Sequence, residues 1–318
     1  MKDIVIVDGA RTPMAEYNGH FSDTSAIDLA AVAGREALSR SGFSGGEIDH
    51  VIVGNALQTS GDAIYGARHV GLKSGVPEEV PALTVNRLCG SGIQSIISGA
   101  EQILLDEAKT VLAGGMENMS QAPHVIRGAR KGFKLGQGAI EDSLMVALLD
   151  SYCNLYMAQT AENLAQMYDV SRADMDEFGV RSQNLAEKAI ADGFWANEIT
   201  PVPLPDGSLA ETDDGPRAGV TYEAVSQLQP VFRPDGVVTA GNCCPLNDGA
   251  AAVVVMSDTK AAELGLTPLA RIVSTGVSAL SPEIMGLGPV EASKQALQHA
   301  GVGGDAAWAD SAARRIRS

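Results

Sequence analysis

Short runs of β-branched and aliphatic residues alternate with segments whose apolar positions recur every three or four residues. That alternation predicts an α/β chain. Ile4–Val7 reads as a buried strand. Across Ala26–Ser41 the apolar side chains Ile27, Leu29, Ala30, Val32, Ala33, Ala37 and Leu38 keep helical spacing, and Gly42 follows as a residue suited to a helix end. Val51–Val53 and Ala82–Asn86 read as strands either side of a short helix, Gly66–Ser74. Ser91–Asp106 is rich enough in Ile, Leu and Ala to predict a helix buried all round. Thr110–Ala113 is the next strand, with Gly114-Gly115 expected to break it.

The pattern changes at about residue 118. Residues 118–239 hold most of the Tyr and Phe, a Pro-rich stretch at Pro201–Pro205, and helical patterns at Thr160–Tyr168 and Arg172–Gly193. They read as an insertion packed over the first domain. Regular patterning resumes in the Ala/Val run Gly249–Ser257. A weak internal repeat follows: a strand starting at Arg271–Ser274 and a helix, Pro289–Ala300, closing at Gly301. Gln295-Ala-Leu-Gln-His-Ala-Gly matches Glu36-Ala-Leu-Ser-Arg-Ser-Gly, but the strand that follows the first copy does not follow the second. The organisation expected is therefore residues 1–117 with 240–270 as one domain, 118–239 as an inserted loop domain, 271–302 as the start of a second half, and 303–318 as an aberrant tail.

Composition narrows the function classes. The chain has 318 residues, 45% hydrophobic and 19% charged, with a net charge of −16. Such an acidic surface repels phosphate backbones, which argues against nucleic-acid binding. The apolar run at the N-terminus is too short for a signal sequence, and no stretch approaches the ~20 apolar residues of a membrane span. A cytoplasmic protein without a membrane anchor is expected. The cysteines Cys89, Cys153, Cys243 and Cys244 form no Cys-x-x-Cys pair and no zinc-ligand spacing, so no metal is expected.

Cys89 stands apart from the other three. Asn86-Arg-Leu-Cys-Gly-Ser-Gly lies between a predicted strand and a predicted helix, which puts the sulfur on a tight turn at a helix N-terminus. Unpaired N–H groups and the helix dipole favour a thiolate there, and Gly90 and Gly92 let a substrate approach the backbone. The setting is that of a nucleophile elbow. Strand–Cys–Gly–helix turns also serve packing, and residue types alone leave both readings open. Cys153 reads as a packing residue. Cys243-Cys244, ahead of Pro245 on a Gly/Asn-rich loop, read as loop packing or pocket lining, because adjacent cysteines bridge only under strain.

Five motifs in order resemble the thiolase family. They are Asn86-Arg-Leu-Cys89-Gly-Ser-Gly, Gly114-Gly-Met-Glu-Asn-Met-Ser-Gln-Ala-Pro-His124, Met157-Ala-Gln-Thr-Ala-Glu-Asn163, Gly241-Asn-Cys-Cys-Pro-Leu-Asn-Asp-Gly-Ala-Ala251 and Gly286-Leu-Gly-Pro-Val-Glu-Ala292. The resemblance implies a thiolase-like layered αβαβα fold with an inserted loop domain and, here, an incomplete second half. It implies an acyl-CoA C-acyltransferase in which Cys89 carries the acyl group, for thiolysis of 3-ketoacyl-CoA or condensation of acetyl-CoA. Coenzyme A and acyl-CoA are then substrates, and no cofactor is permanently bound. The resemblance places Met157 and Cys244 along the coenzyme A chain, and implies a homodimer or homotetramer. It also implies three later motifs, Asn-Glu-Ala-Phe, Gly-His-Pro and a second Cys-x-Gly. None occurs in the 318 residues, so a C-terminally truncated thiolase is expected. That leaves an alternative for the isolated chain, a catalytically impaired acyl-CoA-binding or assembly protein.

Overall fold

The computed structural model describes residues 2–302; the expectation for the tail at 303–318 falls outside the described residues. The described residues divide into two compact units. One comprises residues 2–144, 195–215 and 246–273, and the other 145–194, 216–245 and 274–302.

The first unit is built on a seven-stranded mixed sheet. Its strands are β1 (Ile4–Arg11), β2 (Ala15–Glu16), β3 (His50–Gly54), β4 (Ala82–Val85), β5 (Thr110–Asn118), β6 (Asn247–Ser257) and β7 (Ala270–Ile272). The order is β7-β1-β6-β5-β3-β4, with β2 pairing β6. β3 runs parallel to both β4 and β5, while β6 is antiparallel to β1 and β5. The parallel strands β3, β4 and β5 are joined by the crossover helices α2 (Gly66–Lys73) and α3 (Ser91–Leu104), and α1 (Ala26–Arg40) leads into β3. The cap of α1 is Ser25, whose side chain accepts from Asp28 N–H. At the other end Gly42 takes φ +72°, the left-handed conformation expected of it.

Alternation along β5 divides the core. Leu112 and Met116 join the cluster that includes Leu29, Ala33 and Ala37 of α1, whereas Val111 and Ala113 join Ile52, Ala100 and Ile103 on the α3 side. With both faces covered, the strands read as continuous apolar runs rather than alternating ones.

Two expectations fail here for identifiable reasons. Gly114-Gly115 does not break the strand: β5 continues to Asn118, with Gly114 opposite Ala252 and Gly115 opposite Ala251. The glycines serve close approach instead. A Cβ on Gly114 would lie 2.2 Å from the Ala251 carbonyl oxygen, and one on Gly115 would lie 3.2 Å from Gly92 Cα. The second failure is α3, which is not buried all round. Its buried residues are Ser91, Ser95, Gly99, Ala100 and Ile103, while Ile93 is 69% exposed and Leu104 51%. Small residues make up most of the face toward the sheet because the helix lies close to it, Ile103 is buried with them, and Ile93 and Leu104 point outward.

The second unit carries the helices Met157–Met167, Arg172–Ala191 and Gly288–His299. Two buried carboxylates organise it. Glu162 accepts from Val237 N–H at 2.9 Å and Val238 N–H at 2.9 Å. Asp176 pairs with Arg172 Nε at 2.7 Å and accepts from Asn242 Nδ2 at 2.8 Å. Among the described residues, no helix is long and apolar enough to cross a membrane.

Candidate active site

The turn from β4 into α3 is held by its own backbone and by one buried hydroxyl. Gly90 N–H donates to Arg87 O and Ser91 N–H to Leu88 O, both at 3.0 Å. Ser91 Oγ accepts from Arg87 N–H at 2.8 Å and donates to Leu88 O at 2.6 Å. Leu88 N–H in turn donates to Asn86 Oδ1 at 2.9 Å. These bonds hold Leu88 at φ +48°, a left-handed conformation that costs a branched residue about 1–2 kcal/mol. The reward is position: the next residue, Cys89, is exposed, directly before the helix N-cap Gly90.

Gln94 N–H makes the first bond of the helical ladder, to Gly90 O at 2.9 Å. The residue that carries the sulfur therefore lies immediately before the first turn of α3. Close packing fixes that helix end over the sheet. A Cβ on Gly54, the last residue of β3, would lie 2.4 Å from the Ser91 carbonyl carbon. Ser95 Oγ bonds Gly92 O and Gly114 O, each at 2.7 Å, which ties the first turn of α3 to β5.

Beneath the turn lies a carboxylate that sequence reasoning missed. Glu117 accepts from Asn55 Nδ2 at 2.9 Å, Ala56 N–H at 3.0 Å and Leu57 N–H at 2.9 Å. Burial holds its carboxyl above the usual range, and the bonds from Leu57, Ala56 and Asn55 oppose that rise. The available signal was the one acidic residue of β5, between Met116 and Asn118.

The five histidines make their contacts elsewhere. His20 lies 3.5 Å from Asp214, and His69 bonds Asp62 at 3.0 Å while stacking on Tyr65. His50 contacts Val51 O, and His299 contacts Thr275 O. His124 is exposed and pairs with Asp142 in a short hairpin.

Cys89 belongs to the first unit; Met157 and Cys244 belong to the second. Met157 is the half-buried first residue of its helix. Cys244 is exposed on the loop after Asn242, which is pinned to Asp176 and, at 2.9 Å, to Val237 O. The neighbouring thiols form a pair. A hydrogen bond from Cys243 lowers Cys244 to about 6, and the same bond, with burial, pushes the Cys243 thiol up. Alkylation of Cys244 by iodoacetamide is accordingly expected to reach half its maximal rate near pH about 6, read by peptide mass mapping. In Cys243→Ala the midpoint is expected to rise toward the ordinary thiol range of ~8.5. A midpoint already near ~8.5 in the unsubstituted chain would contradict the pairing.

Comparison with known proteins agrees with this geometry. The family described as thiolase, N-terminal domain, matches residues 4–259. Human mitochondrial 3-ketoacyl-CoA thiolase is 45% identical over 306 residues, covering 95% of this chain and 77% of that protein. An acetyl-CoA acetyltransferase of Cupriavidus necator is 45% identical over 305 residues, covering 94% and 77%. Among solved structures, human mitochondrial 3-ketoacyl-CoA thiolase in complex with CoA superposes with a TM-score of 0.92 at 46% identity, covering 94% of this chain and 76% of that one. The Bacillus anthracis acetyl-CoA acetyltransferase gives 0.92 at 38% identity, covering 95% and 77%. The layered α/β fold is thus that of the thiolases, and this chain belongs to the thiolase family.

Proposed function

We propose that the chain is an acyl-CoA C-acyltransferase in which Cys89 carries the acyl group. The observation that carries this reading is an exposed cysteine, held by a strained turn at the N-terminus of α3, in a chain of this family. In thiolysis the Cys89 thiolate adds to the 3-keto carbon of a 3-ketoacyl-CoA. The bond between C2 and C3 then breaks, its electron pair takes up a proton from solvent at C2, and acetyl-CoA leaves. The thiol of coenzyme A next attacks the acyl-enzyme carbonyl, its proton passes to solvent, and Cys89 departs as thiolate. Condensation is the reverse, with acetyl-CoA loading Cys89 first. Coenzyme A and its thioesters are substrates, and the thioester exchange at sulfur needs no permanently bound cofactor.

Residues 118–239 serve in this reading as the loop domain on the coenzyme A side, with Met157 and Cys244 lining the pantetheine path, and residues 271–302 open the second half. The four cysteines, all free thiols, support a cytoplasmic location. A homodimer or homotetramer is supported by the edge position of β4 and by the exposed apolar side chains Ile64, Tyr65, Leu83 and Leu88 of the same unit.

Isotope exchange tests the first half-reaction. Incubation of the full chain with acetyl-CoA and labelled coenzyme A is expected to move label into acetyl-CoA, because a reversible acetyl-enzyme permits it. Absence of exchange from a folded chain would remove the acyltransferase reading.

A further inference from the structure

We infer that Glu117 is a positioning residue for Cys89, acting through the 55–57 turn and Asn86. The inference rests on the assignment of Cys89 as the acyl carrier. Each link is a hydrogen bond within the first unit. The Glu117 carboxylate, on β5, receives the N–H groups of Ala56 and Leu57 and the amide of Asn55. Asn55 also donates to Met116 O at 3.0 Å, and its own N–H bonds Val85 O at 3.1 Å, so the turn is tied to both β5 and the end of β4. Ala56 O, in the centre of that turn, accepts from Asn86 Nδ2 at 3.1 Å. Asn86 Oδ1 then accepts from Leu88 N–H, the residue whose left-handed conformation presents Cys89.

The chemistry of the carboxylate explains why it stands there. The 55–57 turn directs two backbone N–H groups and one side-chain amide at a single point. An ionised carboxylate can accept all three, because it has two oxygens and no proton of its own. An amide offers one oxygen and adds an NH2 group facing other donors. Glu117→Gln therefore leaves at least one N–H opposed, the turn shifts, and Ala56 O no longer meets Asn86. Asn86 is exposed and makes no contribution to the core, so its two side-chain bonds are its evident role.

The test is a double-mutant cycle on the rate constant for acetylation of Cys89 by acetyl-CoA, with Glu117→Gln, Asn86→Ala and the double variant. Misplacing a nucleophile by ~1 Å costs up to ~10²-fold, so each single variant is expected to lose about 10–100-fold in rate with little change in acetyl-CoA affinity. The double variant is expected to lose no more than about threefold beyond the worse single one, because both break one chain of contacts. Multiplicative losses, or unchanged rates in the single variants, would overturn the inference. Amide exchange at Leu88 provides a readout that does not require acyl transfer. Glu117→Gln is expected to speed it at least tenfold, although Glu117 does not touch Leu88, and unchanged protection would overturn the inference too. Should the unsubstituted chain take no acetyl group at Cys89, the acyl-carrier reading fails on its own. Exchange at Leu88 would then still decide whether the contacts from Glu117 hold the turn.

Discussion

Cys89→Ser is expected to lower acetyl transfer from acetyl-CoA to the chain by about 10³-fold or more, the scale on which loss of a nucleophile acts. The argument is one of nucleophilicity. A serine hydroxyl placed in the same turn keeps the geometry set by Ser91, Leu88 and Asn86, but at neutral pH it stays protonated, and the helix N-terminus alone does not ionise an alcohol. Size is nearly conserved and the side chain is exposed, so the fold should be untouched. The measurement is mass mapping of chain incubated with acetyl-CoA. The acetyl group should sit on the peptide containing Cys89 and be released by hydroxylamine. Cys244 offers an internal competitor, because the hydrogen bond from Cys243 lowers its pKa. Acetylation that persists in Cys89→Ser, or that is found on Cys244 in the unsubstituted chain at equal rate, would transfer the acyl-carrier role away from the elbow.

Periodicity made the sheet and its crossover helices legible because both faces of the sheet are covered. Ile4–Val7, Val51–Val53 and Gly249–Ser257 are apolar runs for that reason, and each lies within an observed strand. The helix ends were legible where a residue has a single local role, as at Gly42 and Gly301, which take φ of +72° and +67°. Glycine misled where its role is long-range. Nothing local distinguishes Gly114-Gly115 as a punctuation mark from a pair that lets β6 and the first turn of α3 approach β5. The aliphatic content of Ser91–Asp106 misled in a related way. Burial depends on which side of the helix meets the sheet, and here that side is Ser91, Ser95 and Gly99. At the candidate site, the position of Cys89 followed from the strand–turn–helix order. The support beneath it did not, because Glu117 lies 28 residues beyond Cys89 and reaches it only through a turn that follows β3.

Gly54→Ala is expected to injure the elbow and the fold together. A methyl group at this position would lie 2.4 Å from the Ser91 carbonyl carbon, 2.5 Å from its oxygen and 2.7 Å from Ser91 Cβ. Carbon atoms rest at about 3.5–4.0 Å, so the start of α3 must move away from β3 by roughly 1 Å. No flexible side chain can yield in its place, since two of the three atoms are helix backbone. Overpacking of this kind costs about 1–3 kcal/mol, and displacement of the nucleophile by ~1 Å adds a loss of up to ~10²-fold in Cys89 acetylation. Gly92→Ala is the matched control one residue into the same helix turn. Its Cβ would meet nothing within 4 Å, and alanine gains up to about 1 kcal/mol over glycine in a helix, so its stability should hold or rise. Denaturant midpoints measure both, with the slope checked for constancy. Equal midpoints for Gly54→Ala and the unsubstituted chain would mean that the close contact between β3 and α3 does not exist in solution, and the presentation of Cys89 would then need another cause.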